Sequence, residues 1–244
     1  MKTLKRILLL IAVFLIVVVI FNYPKLNILA GYSAKNTASS VFLGKRTLAF
    51  TDKTDNNFSP VNLATDAIDT ENKWATSSAF GLLTRKAIYR AGLGAVLSID
   101  ARDESASYLV PKRLKANNSA PFPYGNAPQK DTVFANINYS KLNKTVGAIF
   151  GKEKTRAVVV IHKDQIILEK YADGFDKDSR ILGWSMTKSI MSTVFGVLEH
   201  QNKIDLQEKA PIASWQKDAR KNITINNLLQ MNSGLEWDEN YDEI

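Results

Sequence analysis

Apolar residues run without interruption from Ile7 to Phe21. Lys2, Lys5 and Arg6 precede the run, and Asn22, Tyr23 and Pro24 follow it. A basic stretch ahead of an apolar one is the layout of an export signal. The run is 15 residues long, short beside the roughly 20 that a spanning helix needs. Three readings of residues 1–30 stay open: an uncleaved signal-anchor, a signal peptide cleaved after Ala30, or a buried core helix. We favour the anchor. Basic residues on the N-terminal side put the N-terminus in the cytoplasm. The rest of the chain is then anchored at the inner membrane or secreted, and faces the periplasm or the exterior.

Beyond the run the pattern weakens. Residues 31–40 are small and polar (Ser33, Asn36, Thr37, Ser39, Ser40) and read as a tether. Residues 41–50 resemble a short strand and turn, and residues 52–57 a polar loop. Residues 82–96 read as extended segments broken by Gly92 and Gly94. Pro111, Pro121, Pro123, Gly125 and Pro128 make a long surface loop.

From residue 151 the periods sharpen. Residues 156–162 are rich in β-branched side chains and look like a strand buried on both faces. Lys163 and Asp164 give a turn signal, and residues 165–171 return as a second strand, so the pair predicts a β-hairpin. A helix follows over residues 185–200, with Ile190, Met191, Val194, Val197 and Leu198 at helical spacing. Residues 205–215 form a loop. Thr224 is the expected N-cap of a short helix over residues 226–231, stopped by Ser233 and Gly234. The fold class is α+β: an antiparallel sheet packed by helices and preceded by a membrane helix. The expected divisions are 1–30, 31–150 and 151–244.

Composition narrows the chemistry. The chain has 244 residues, no cysteine, two histidines and a net charge of +8. It can bury a core without staples. Absent cysteine excludes thiol catalysis, thiolate metal sites and disulfides. His162 and His200 leave little for a histidine-based triad or metal site. His162 reads as a turn residue, and His200 suits the end of its helix. Residues 151–244 hold 13 Lys and Arg against 15 Asp and Glu, so the positive excess lies in the first 150. It is scattered, with Lys112, Arg113 and Lys115 the densest group. No basic stripe with aromatic support suggests nucleic acid. The acidic end (Glu236, Asp238, Glu239, Asp242, Glu243) lacks the loop spacing of a calcium site.

One tetrad carries reactive chemistry: Ser185-Met186-Thr187-Lys188. Residues three apart on a helix share a face. A serine hydroxyl needs a base within hydrogen-bond reach, and a desolvated lysine can be that base. The apolar helix is the expected source of dryness. Unpaired N–H groups at the helix start offer oxyanion donors, the Ser185 amide among them. Ser192 shares the face. The bland alternative is an N-capping serine and a solvent-facing lysine. Trp184 either packs in the core or lines a pocket beside Ser185.

Residues 155–215 resemble the start of the catalytic domain of the serine β-lactamase and penicillin-binding-protein superfamily. The likeness rests on residues 157–162, 169–174, 182–189 and 202–206, and then on 223–225 with 228–235. More narrowly, it is to class C β-lactamases, family VIII esterases and 6-aminohexanoate-dimer hydrolases. The earlier region, through Tyr89-Arg90-Ala91-Gly92-Leu93-Gly94, is similar to the N-terminal part of the last group. The resemblance implies a β-lactamase/transpeptidase-like fold with Ser185 as the acylated nucleophile and Lys188 as its base. The implied substrate is a small-molecule ester, amide or β-lactam, with no metal or organic cofactor. It also implies a Tyr-x-Asn or Ser-x-Asn motif and a Lys-Thr-Gly or His-x-Gly strand downstream. Neither occurs in residues 186–244. Residues 151–244 therefore read as a truncated catalytic domain, and the chain as a fragment with an incomplete site. The competing readings are a membrane-tethered, non-catalytic binding protein and a chain that does not fold stably.

Overall fold

The computed structural model describes residues 2–112, 119–152 and 154–237. Arg113, Lys115 and the acidic residues from Asp238 onward lie outside them. The chain is mixed α+β with antiparallel sheets, and forms two compact units, residues 1–180 and residues 181–244.

The first unit opens with α1 (Lys2–Ala38), which runs through Pro24 without ending. Among the described residues this is the one helix long and apolar enough to cross a membrane. Its side chains from Ile16 to Lys25 are exposed, whereas Leu29, Ala30, Ser33, Ala34, Thr37 and Ala38 are buried. Residues 31–40 are therefore not a tether. They are a buried helical face at i, i+3/i+4, i+7 spacing, and a π-helical turn over Ser39–Leu43 continues it. The expected strand at 41–50 is also replaced by helix, since α2 spans Leu48–Lys53 with Thr47 as its N-cap.

Four strands follow as an antiparallel meander: β1 (Ala64–Asp69), β2 (Trp74–Ala79), β3 (Leu83–Arg90) and β4 (Gly94–Ser98). β2 alternates, with Ala75, Ser77 and Ala79 buried. Those alanines and Ala87 meet Ala30, Ala34 and Ala38 of α1. Small residues on both surfaces let helix and sheet approach closely. Gly31 belongs to the same contact: a Cβ there would lie 3.2 Å from Leu97.

Several polar side chains buried here are paired, as burial favours, although the Ser77 hydroxyl of β2 is buried without a hydrogen bond to any described residue. Asp66 accepts hydrogen bonds from Ser33 (2.8 Å), Thr37 (3.1 Å) and Asn56 (2.8 Å). Asp52 joins the group. Partial desolvation, then the Asp66 charge and a hydrogen bond shared with it, push the Asp52 carboxyl up to about 6. Asp55 lies between Arg46 (3.1 Å) and Arg156, and also accepts from Ser40 (2.9 Å). Arg46 and Arg156 stand 6.0 and 5.1 Å from the ring centre of Phe175. This cluster ties the meander region to the second sheet.

A short capped helix, α3 (Ala101–Ser105), follows β4. Then come α4 (Tyr139–Lys152) and the hairpin β5 (Ala157–His162) and β6 (Gln165–Tyr171). The hairpin falls where the sequence puts it. Lys163 and Asp164 both adopt positive φ (47° and 57°), as a two-residue type I′ turn requires. β5 is not buried on both faces, however: its residues alternate, and Val159 and Ile161 are exposed. His162 ends the strand with its ring edge-on to Phe134 at 4.7 Å. The sequence reading missed α4, although Leu142, Val146, Ile149 and Phe150 stand at helical spacing.

In the second unit, α5 (Met186–His200) and α6 (Ile225–Leu229) match the two expected helices. Thr224 caps α6 in a reciprocal box with Asn227. Short 3₁₀ turns at Ala213–Lys217 and Ala219–Asn222 lie between them.

Candidate active site

Ser185 stands at the N-cap of α5 with φ −63° and ψ −14°. Its side chain makes no capping hydrogen bond to the helix, which leaves the hydroxyl for another partner. That partner is Lys188, whose Nζ lies 3.3 Å from Ser185 Oγ. The pairing follows from one helical turn, which stacks residue i+3 over residue i. Of the bland alternative, the side-chain cap is absent, whereas the lysine does face solvent.

The backbone ahead of the serine is constrained. Trp184 adopts a left-handed conformation, φ 44°, uncommon for a bulky residue. Its carbonyl accepts from the Thr187 amide (3.1 Å) and the Thr187 hydroxyl (2.6 Å). The Met186 amide donates to Gly183 at 3.0 Å. Among the described residues no backbone or side-chain acceptor takes the Ser185 amide. That leaves this amide among the unpaired N–H groups of the helix start.

The environment departs from the expectation. Ser185 and Lys188 are exposed, and so are Met186, Ile190, Met191, Val194 and Val197. α5 contains no buried residue. Apolar composition alone does not dry a site: desolvation needs atoms packed over it. Trp184 is exposed as well, so it is not a core residue here. Ser192 is exposed on α5.

Other chemistry is sparse. Among the described residues no group of three His, Asp or Glu is placed to hold a metal ion. In the first unit, residues of the 122–133 segment and of β6, with Lys177 and Asp178, line a cleft of about 1100 Å³. Its charges are of both signs and select no one class of ligand.

No curated protein and no solved structure matches the chain. Residues 148–244, which contain the second hairpin and the whole second unit, match the family model described as Beta-lactamase, a likeness that suggests a hydrolase acting on small molecules.

Proposed function

We propose that the chain is a membrane-anchored serine hydrolase of β-lactamase/transpeptidase-like type. Residues 31–150 would be its N-terminal region and the part from 151 onward its catalytic region. The carrying observation is the 3.3 Å approach of Lys188 Nζ to Ser185 Oγ at the start of α5, within the matched residues. The apolar half of α1 supports the anchor, with the hydrolase facing the outside of the inner membrane.

The reaction runs through an acyl-enzyme. Lys188 takes the Ser185 proton, a step open only to its uncharged amine, while Oγ attacks the carbonyl carbon of an ester, amide or β-lactam. The Ser185 amide donates to the oxyanion. The tetrahedral intermediate collapses, the carbon–heteroatom bond breaks, and the lysine ammonium returns its proton to the leaving group. Water, deprotonated by the same amine, then attacks the acyl ester; the bond to Ser185 Oγ breaks, the lysine ammonium returns the proton to Oγ, and the acid is released. Trp184, exposed next to the nucleophile, would flank the acyl group.

The test is acylation of the full chain by a fluorophosphonate or a penicillin-type probe. Label should appear on Ser185 and vanish in Ser185→Ala. Lys188→Ala should slow labelling by about 10²–10⁴-fold, the usual contribution of a general base. Labelling that persists unchanged in Ser185→Ala sinks the assignment. Binding without turnover, indifferent to Lys188→Ala, favours the non-catalytic binding protein, a reading that the open face of α5 supports.

A further inference from the structure

We propose that the end of the four-stranded sheet formed by Leu63, Phe80 and Leu82 lies in the outer interface of the bilayer that α1 spans. The inference rests on the anchor reading above and adds a second contact with the same membrane.

The register shows which end of the sheet this is. Ala64 pairs with Ala79, and Ala79 with Leu83. Leu63, Phe80 and Leu82 therefore lie just beyond the last paired residues, at one edge. The same strand ends pack on Leu26, Leu29 and Ala30, the part of α1 that adjoins its exposed apolar half. The other end packs on Ala34 and Ala38, farther from that half. So the edge carrying Leu63, Phe80 and Leu82 points back toward the apolar helix. The β1–β2 turn at the opposite end carries exposed Glu71, Asn72 and Lys73.

All three edge residues are large, apolar and open to solvent: Leu63 is 52% exposed, Phe80 59% and Leu82 58%. Ile28 of α1, at the same level along the helix, is 52% exposed. Phe80 also has an unfavourable backbone. It sits at φ 53° ahead of Gly81 at φ 70°, and the Leu82 amide donates to the Ala79 carbonyl at 2.9 Å. That is a type I′ turn, whose first central position favours Asn, Asp or Gly. A phenylalanine there costs backbone energy, and its exposed ring recovers little by burial within the protein.

Helix length places the edge in depth. The Ile7–Phe21 run rises about 22 Å at 1.5 Å per residue, short of the roughly 30 Å hydrocarbon thickness. Continuing to Ile28 brings the rise to about 32 Å. The edge thus falls at the far boundary of the hydrocarbon, where partly buried apolar side chains suit the interface. It supplies apolar surface at the depth where the short run ends.

The absence of cysteine makes the test direct. Single-cysteine variants Leu63→Cys, Phe80→Cys and Leu82→Cys of the full chain carry a nitroxide label. Phe14→Cys reports the span, and Asn72→Cys the far turn. The chains are reconstituted in vesicles of phosphatidylethanolamine and phosphatidylglycerol. Labels at 63, 80 and 82 should collide more with oxygen than with a water-soluble nickel chelate, as at 14, whereas 72 should show the reverse. If 14 is lipid-exposed but 63, 80 and 82 behave like 72, the interface proposal fails and the anchor stands. If 14 is itself exposed to water, both fail. Low access to both reagents at 80 and 82, as for a surface covered by a second copy, also overturns the proposal.

Discussion

Asp55 sits between two guanidinium groups with only 8% of its side chain exposed. Burial alone would push its carboxyl up. Hydrogen bonds from Arg156 and Ser40 and the charges of Arg156 and Arg46 outweigh that and hold it below the ordinary carboxylate range. A depressed folded value means that this stability is present above the unfolded value, near pH 4, and lost as pH falls through the folded one. Asp55→Asn should therefore lower unfolding stability at neutral pH by about 3 kcal/mol, the cost of leaving buried cations unpaired. The gap between variant and parent should narrow below about pH 4. Urea denaturation of the full chain in detergent across that range checks both, and a gap that widens in acid contradicts the ion-pair account. None of this was legible in the sequence, because Arg46, Asp55 and Arg156 meet only through tertiary packing. Ser185 and Lys188 were legible, since one helical turn fixes their spacing. Their exposure was not, because dryness depends on what covers a helix rather than on its own composition.

Among the elements, the hairpin at 157–171 and the helices α5 and α6 followed from turn residues, period and capping. The region from Gly31 to Ser98 was far less legible. An apolar stripe is the usual mark of a buried helix face, but α1 packs on the sheet through alanine, glycine, serine and threonine, which read as linker composition. The serines and threonines are tolerated inside because Asp66, Asn56 and Asp55 satisfy them. The strands that face them also use alanine and serine, small enough for the close approach, so β1 and β2 showed no hydrophobic alternation. This contact has little room for larger side chains. Ala34→Leu should cost about 1–3 kcal/mol by overpacking, while the same residue at exposed Lys35 should change stability by less than about 0.5 kcal/mol. Thermal unfolding of the two variants in detergent separates them. Equal effects would mean that the α1–sheet contact is looser than these side chains imply.

At the scale of the whole chain, the two units differ in how their elements are held. The meander keeps Ala75, Ala79, Ala87 and Ser77 out of water, and α1 closes over it. Of the hydrophobic residues buried within the described chain, the second unit contributes Ala210. A helix of 15 residues such as α5 is marginal by itself in water, since most helical stability in proteins comes from a packed face. Its exposed Met186, Ile190, Met191, Val194 and Val197 leave that contribution largely unrealised. Local opening should then differ sharply along one chain. Amides of residues 190–200 should exchange with deuterium at least about 100-fold faster, relative to their intrinsic rates, than those of Ala75 and Ala87, because an opening gap of some 2.7 kcal/mol or more separates a bare helix from a closed sheet. Hydrogen exchange of the full chain in detergent measures this directly. Protection of α5 equal to that of β2 and β3 would show that the helix face is covered in solution, and Lys188 would then have the dry surroundings that a lysine base requires.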